Sequence, residues 1–175
     1  MMKAYLQKNL VESFRRSPFR APLLAWAPVP FYATASLAIG FCSGLFRLEL
    51  ISSEWVLVLP FTLLLFPSLL EEVVFRGLLI PRETIERGRW QVVKAMAGST
   101  LLFVLWHPLN AVTFNRSAMP IFLDPAFLVV VALLGITCSY GYVVSKSIWV
   151  PVLIHWATVV VWVFLLGGRN LILEL

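Results

Sequence analysis

Four long stretches of the chain contain no charged side chain. They are residues 21–46, 95–115, 125–145 and 147–168. A helix that crosses a bilayer needs about 20 mostly apolar residues, because its backbone hydrogen bonds must be satisfied within the segment itself. Each stretch is therefore long enough to span a membrane.

A fifth span is predicted at residues 55–80. Its charge-free part, residues 55–70, is shorter than a membrane span requires, but the segment becomes long enough if it continues through three charged residues to Ile80. The composition agrees, since 60% of the residues are hydrophobic and 13% are charged, whereas soluble domains are about 45–50% apolar and about 25% charged. We therefore predict an all-α, polytopic membrane helix bundle of about five transmembrane helices, forming a single domain over residues 1–175.

The N-terminal region, residues 1–20, predicts an amphipathic helix on the cytoplasmic membrane surface. Leu6, Leu10, Val11 and Phe14 fit one helical face beside several basic residues. With five spans and an inner N-terminus, the inner side carries ten Lys and Arg residues and the outer side three. Because cytoplasmic loops are enriched in Lys and Arg, we expect the N-terminus in the cytoplasm. Topology thus explains the net charge of +5, and no nucleic-acid motif accompanies it.

The first two predicted spans each contain a pair of closely spaced prolines. Pro28 and Pro30 lie in the first, and Pro60 and Pro67 lie in the second. Each proline lacks a backbone donor and tends to kink a helix. We therefore expect bends in both spans, which neighbouring helices can accommodate.

Five ionisable side chains lie inside the predicted spans, namely Glu71, Glu72, Arg76, His107 and His155. Such groups are costly in a membrane and usually functional. Glu72 and Arg76 are four residues apart, so they share a helix face and can form an ion pair. Glu71 is rotated by about 100° from Glu72, so the two carboxylates have different surroundings.

These residues reach similar depths on three helices. Glu72 and His155 each lie roughly 12 Å from the inner end of their spans, and His107 lies roughly 18 Å from its own. A shared site requires such matched depths. Taken singly, the Glu–Arg pair could instead be a structural tie, and each histidine could simply form a hydrogen bond between helices.

Glutamate and histidine in one buried site can activate water. A carboxylate near a histidine can act as a general base towards a water that attacks a carbonyl, and a second histidine or an amide can stabilise the oxyanion. This chemistry predicts peptide hydrolysis inside the membrane. Two histidines and a glutamate are also a zinc ligand set, but the chain has no His-Glu-x-x-His helix. It has no Gly-x-Ser-x-Gly motif of a serine hydrolase either.

Three motifs in order resemble those of a known family. They are EEVVFR (71–76), FVLWH (103–107) and HWATV (155–159). The series is similar to that of the CPBP family of CAAX proteases and bacteriocin-processing enzymes, also called Abi, which are glutamic-type intramembrane proteases. The resemblance spans residues 55–168, which would form the catalytic core.

The resemblance implies a role for each matching residue. Glu72 would be the general base that activates water, helped by His107, and His155 would polarise the scissile carbonyl or hold the oxyanion. Glu71 and Arg76 would shape the site. Better-studied members look metal-independent, so we expect no cofactor and treat zinc as the less favoured alternative.

One position departs from the family pattern. The family often places Asn four residues after the last His, and Val159 occupies that position here. We expect Asn110 to supply the oxyanion donor instead, with Thr158 and Trp156 as alternatives.

The expected function is an intramembrane endopeptidase acting on a membrane-associated peptide or protein within the lipid bilayer, without nucleic acid. The expected location is a bacterial plasma (inner) membrane, where the protein would be multi-pass. A non-catalytic immunity-type or scaffold protein of the same fold is an alternative, favoured by the missing Asn. A small transporter or proton relay is a further alternative, although the sequence has no internal repeat.

Overall fold

The computed structural model describes Tyr5 and residues 7–168. Over these residues the chain is helical and contains no β-strand apart from an isolated bridge between Glu49 and Leu166. The α-helices, numbered in chain order, are α1 (Glu12–Arg15), α2 (Val29–Ser43), α3 (Leu59–Leu63), α4 (Leu70–Glu72), α5 (Arg82–Arg87), α6 (Arg89–Thr113), α7 (Met119–Phe122), α8 (Pro125–Ser145) and α9 (Trp149–Leu165). The predicted all-α class is confirmed.

Among the described residues, three helical stretches are long and apolar enough to cross a membrane. They are Leu23–Ser43, Arg89–Thr113 and Pro125–Ser145, and they correspond to three of the predicted spans. Helix α9 is also apolar, but its 17 residues make it shorter. The remaining predicted span consists of several short helical pieces. The structure therefore agrees with a helical membrane bundle.

The prolines of the first span begin a helix instead of bending one. Leu23–Trp26 forms a short 3₁₀ helix, and Pro28 and Pro30 then lie at the start of α2. The stretch therefore changes from 3₁₀ to α-helical geometry at these prolines, where the first α-helical turn has no partner for the N–H that proline lacks. Helix α2 ends at Gly44, whose φ of +79° favours glycine.

The second span is broken, as its prolines predicted. It runs through α3, a π-helical turn at Leu64–Leu69, α4 and a second π-helical turn at Val73–Leu78. Phe66 has the non-helical angles φ −139° and ψ 121°, because the following Pro67 disfavours a helical conformation at the preceding residue. We call residues 59–78 the broken segment. Its interruption lies only a few residues before the two glutamates.

The polar residues 82–94, which connect the second predicted span to the third, are mostly helical. The first part of this segment forms α5 and its last part forms the start of α6, with Gly88 between them at a φ of +137°. Glutamate, arginine, lysine and glutamine favour helices, so the polar character of this segment did not require a loop.

Helix α8 lies at the centre of the bundle and contacts α2, α6 and α9. Small residues allow these close approaches. A Cβ atom on Gly141 would lie 3.1 Å from a methyl of Val150, and one on Gly135 would lie 2.9 Å from a methyl of Thr100. Small side chains at helix interfaces are the usual means of packing in membranes, where a hydrophobic drive between helices is absent.

The N-terminal segment packs against the inner end of the bundle. It forms a π-helical turn at Gln7–Val11 followed by α1. The side-chain oxygen of Asn9 accepts a hydrogen bond from the backbone N–H of Arg82 at 2.9 Å, and the indole of Trp149 donates to the carbonyl of Phe14 at 2.9 Å.

The predicted apolar face of this segment is only partly used in these contacts. Leu10 packs near Gly77 and Phe14 near Trp149, whereas Val11 is 43% exposed. Leu6 lies outside the described residues. The segment therefore docks on protein through part of the face that the sequence assigned to the membrane surface.

Candidate active site

Glu72 is completely buried between Arg76 and His155. Its Oε2 lies 3.1 Å from Nε of Arg76, which is the ion pair that the four-residue spacing predicts. Oε2 of Glu72 and Nε of Arg76 are not aligned for a hydrogen bond, so the two groups interact as an ion pair. Its Oε1 lies 2.8 Å from Nδ1 of His155. Because a carboxylate oxygen accepts, Nδ1 of His155 carries the proton in this bond.

Arg76 connects the carboxylate to two further helices. Its Nη2 donates to the carbonyl of Gly135 on α8 at 3.1 Å, and its guanidinium carbon lies 4.4 Å from the centre of the Phe103 ring on α6. Stacking over an aromatic face is favourable for a desolvated guanidinium. Arg76 therefore fixes the broken segment against α6 and α8 from a fully buried position.

Glu71 has a different environment, although it is the adjacent residue. Its Oε1 accepts a hydrogen bond from the indole N–H of Trp106 at 3.0 Å. Its Oε2 has no hydrogen-bond partner and lies 3.9 Å from Nε2 of His155. Glu71 lines a cavity inside the bundle, which is described below, whereas Glu72 does not line it.

The two glutamates therefore have different partners. The sequence predicted Glu72 as the working base and Glu71 as its support. In the structure the carboxylate of Glu72 is occupied by Arg76 and His155, and the carboxylate of Glu71 has an oxygen free to accept a proton. Which of the two glutamates acts as the base stays a prediction.

His107 is held in one orientation. Its Nδ1 lies 2.9 Å from the carbonyl of Phe103, and because a carbonyl can only accept, Nδ1 carries the proton. The edges of Phe103, Phe122 and Phe127 surround the ring at centroid distances of 5.1, 5.3 and 5.5 Å. Nε2 is therefore the nitrogen of His107 that remains available to a ligand. Phe103 also contacts His155 edge-on, so the same phenylalanine ring packs against both histidines.

A cavity of about 380 Å³ brings the candidate residues together. The broken segment and helices α2, α6, α8 and α9 surround it. Most of its lining is apolar, including the exposed Phe66 at the break. The polar side chains in its lining are Tyr32, Glu71, His107, Asn110, Asn115, His155 and Thr158. Of the six predicted site residues, four line this cavity, and Glu72 and Arg76 lie behind it.

The three proposed oxyanion donors are not equivalent in the structure. The indole of Trp156 donates to the carbonyl of Pro60 at 2.8 Å, and the hydroxyl of Thr158 donates to the carbonyl of Ile154 at 2.9 Å. Both donors are therefore occupied. Asn110 lines the cavity one turn after His107, and Val159 lines it on the opposite helix. Asn110 is the donor that fits best.

The donor set does not fit a zinc site. Among the described residues, no group of three or more His, Cys, Asp or Glu side chains is arranged to hold a metal ion. Each histidine has its Nδ1 directed to another group, which by itself would leave Nε2 available to a metal, but Glu72 is paired with Arg76. That the site works without a metal ion stays a prediction.

Sequence reasoning missed Trp106 and Gly135. Trp106 contacts Glu71 from a distance of 35 residues along the chain, and Gly135 receives the Arg76 guanidinium. The sequence offered one weak signal for each residue: Trp106 is a hydrogen-bond donor next to His107, and Gly135 is a glycine in the middle of an apolar span.

Comparison with known proteins identifies one family. Residues 52–161 match the family model described as "Type II CAAX prenyl endopeptidase Rce1-like". The matched region includes all six predicted site residues and Val159, and it confirms the resemblance that the three motifs indicated. No curated protein and no solved structure matches the chain.

Proposed function

Because this chain belongs to the Rce1-like family of CAAX proteases, which act on membrane-associated peptides, we propose that it is an intramembrane endopeptidase with Glu71 as general base. One observation carries the proposal. The unpartnered oxygen of Glu71, the two histidines and Asn110 line a single cavity inside a membrane helix bundle. Together they provide the groups that hydrolysis of a buried peptide bond requires.

The reaction begins with a water molecule between Glu71 and His107. Oε2 of Glu71 takes a proton from the water while the water oxygen attacks the scissile carbonyl carbon. Nε2 of His107 accepts a hydrogen bond from the same water and thereby orients it. The carbonyl oxygen becomes an oxyanion, to which the side-chain amide of Asn110 donates. Nε2 of His155 donates to it as well when the ring is an imidazolium, with its Nδ1 proton still hydrogen-bonded to Glu72. Glu71 then gives its proton to the amide nitrogen, the C–N bond breaks, and an acid and an amine leave.

Glu72 and Arg76 position this machinery without contacting the substrate. Glu72 holds Nδ1 of His155, and Arg76 neutralises Glu72 in a site that excludes water. A neighbouring carboxylate that orients a histidine is a common arrangement in hydrolytic sites. The adjacent glutamates thus have separate roles: Glu71 acts on the water in the cavity, and Glu72 orients His155.

The cavity suits an internal peptide bond. Among its described lining residues, none is Lys or Arg, so the cavity has no cation to bind the terminal carboxylate of a substrate. This supports an endopeptidase over a carboxypeptidase. The apolar lining supports a membrane-associated peptide as the substrate.

The proposal also includes orientation and location. We propose a bacterial plasma membrane as the location, with the N-terminus on the cytoplasmic side, and the excess of Lys and Arg on that side supports this orientation. The site then lies roughly 12 Å from the inner end of the broken segment and of α9.

A non-catalytic relative of the same fold is the second candidate. Val159 at the position where the family often has Asn is the observation that favours it. The complete set of Glu71, His107 and His155 around the cavity favours the enzyme.

Two quenched fluorescent peptides test the enzyme in detergent. One carries a farnesylated C-terminal CAAX sequence, and the other is an unmodified membrane-spanning peptide. We expect the protein to cleave at least one at an internal bond, as shown by mass spectrometry, with the same rate before and after chelator treatment. Absence of cleavage of both would contradict the enzyme and favour the non-catalytic candidate. Loss of activity on chelation, restored by zinc, would contradict the metal-free mechanism.

A further inference from the structure

Trp106 contacts the proposed general base directly. We propose that Trp106 is a positioning residue that holds one oxygen of Glu71 so that the other faces the attacking water. This inference rests on the proposed function of the site. Trp106 lies within FVLWH (103–107), but the resemblance assigns it no role.

The contact is specific to one carboxylate oxygen. Nε1 of Trp106 lies 3.0 Å from Oε1 of Glu71, which is a normal hydrogen-bond distance. Oε2 of the same carboxylate has no hydrogen-bond partner. A carboxylate with a single donor on one oxygen has a fixed plane, and its second oxygen then points in a defined direction.

The indole itself is held in place by its surroundings. Trp106 packs against the hydrophobic core and lies beside the ring of Phe114 at a centroid distance of 6.2 Å. A tryptophan has only two side-chain torsions, so ordering it costs little conformational entropy. Trp106 also precedes His107 on α6, so the same helix positions the base and the histidine next to the water.

The chemistry of the donor separates the two adjacent glutamates. Both oxygens of Glu72 already have partners, one in the ion pair with Arg76 and one in the hydrogen bond with His155. Glu71 receives a neutral indole N–H, which donates only and does not titrate. Trp106 can therefore orient the carboxylate while leaving it able to take a proton from water.

Trp106→Phe tests this role, with Trp149→Phe as the matched control. Trp149 also donates its indole N–H, at 2.9 Å to the carbonyl of Phe14, but it lies at the inner end of α9 outside the cavity. We expect Trp106→Phe to lower kcat roughly tenfold, as for loss of a hydrogen bond to a charged group, with KM within about twofold. Trp149→Phe should leave both constants near those of the original protein. An unchanged kcat in Trp106→Phe, or an equal loss in Trp149→Phe, would overturn the inference.

A second measurement needs no substrate. The chain has seven tryptophans, so protein labelled with ¹⁵N at the indoles has few N–H resonances in detergent, and each Trp→Phe variant assigns one. We expect Glu71→Gln to move the Trp106 indole resonance and to leave that of Trp149 in place, because the variant replaces a charged acceptor with a neutral one. A Trp106 resonance that does not respond to Glu71→Gln would overturn the hydrogen bond.

The two measurements separate the inference from the proposed function. If the original protein cleaves a peptide and Glu71→Gln does not, the proposed function holds, and the kcat of Trp106→Phe alone decides the inference. If the original protein cleaves neither peptide, the proposed function fails and the positioning role fails with it, even if the indole resonance responds.

Discussion

At the scale of single residues, two neighbouring glutamates differ because of their partners. Glu72 is paired with Arg76 and His155 and is completely buried, whereas Glu71 has a neutral donor and an unpartnered oxygen at the cavity. A buried ion pair that loses one member leaves an uncompensated charge, which is much costlier than loss of a neutral hydrogen bond. The two residues should therefore respond differently to the same substitution.

Glu72→Gln should destabilise the protein more than Glu71→Gln. We expect a loss of about 3–5 kcal/mol in the first variant, because the Arg76 guanidinium stays buried without its counter-charge. The second variant should lose about 1 kcal/mol or less, since an amide oxygen can still accept the Trp106 N–H. Thermal unfolding of both variants in one detergent measures the difference. Equal losses would contradict the structural role of Glu72.

Gly135→Ala should also be destabilising. Its Cβ would lie 2.9 Å from a methyl of Thr100 and 3.5 Å from Nη2 of Arg76, so α6 or the guanidinium must move. Overpacking of this kind costs about 1–3 kcal/mol. Gly98→Ala is the matched control, because a Cβ there would meet nothing within 4 Å. Thermal unfolding should show a loss for Gly135→Ala alone, and a similar loss in the control would contradict the packing explanation.

The local part of this site was predictable from the sequence. The Glu72–Arg76 pair depends only on helical spacing, and both histidines could be placed at matching depths by counting residues. The surroundings of each glutamate were not predictable in this way. Which glutamate faces the cavity depends on the rotation of the broken segment against α6 and α9, and on contacts such as Trp106 to Glu71 that link distant parts of the chain.

At the scale of elements, the N-terminal segment is attached to the bundle through Arg82. This side chain is 4% exposed, pairs with Glu12 and donates to the carbonyl of Lys146 at 2.8 Å. It therefore joins α1, the start of α5 and the turn between α8 and α9. The sequence could show a basic N-terminus but not this attachment, because Arg82 resembled any other loop cation.

Arg82→Gln should loosen the N-terminal segment without disturbing the rest of the bundle. We expect faster hydrogen–deuterium exchange over residues 7–16, because the variant removes the charge that holds Glu12. Arg89→Gln is the control, since Arg89 is exposed at the start of α6. Unchanged exchange over residues 7–16 in Arg82→Gln would contradict the role of Arg82.

At the scale of the whole molecule, five helical segments surround a mostly apolar cavity, and several of them contribute polar side chains to it. Three of them are long enough to span a bilayer by themselves, and the broken segment brings Glu71 and Glu72 to the middle of the bundle. These helical segments could be predicted from the charge-free runs. The break could be predicted from Pro67, but its effect on the direction of the glutamates could not.

Single cysteines test the predicted orientation in a protein without Cys42 and Cys138. Ser17 lies near the N-terminus and Ser117 lies between α6 and α7, and both are exposed. We expect a membrane-impermeant maleimide to label Ser117→Cys in intact cells and Ser17→Cys only after lysis. Labelling of Ser17→Cys in intact cells, with Ser117→Cys protected, would show the opposite orientation.

The central claim, that Glu71 activates the attacking water, is tested most directly by the cleavage rate of Glu71→Gln. This variant keeps the acceptor for Trp106 and the whole Glu72–Arg76–His155 group, so it should fold normally while cleaving a peptide about 10²–10⁴-fold more slowly than the original protein. A folded Glu71→Gln variant that cleaves the same peptide at the original rate would contradict the claim.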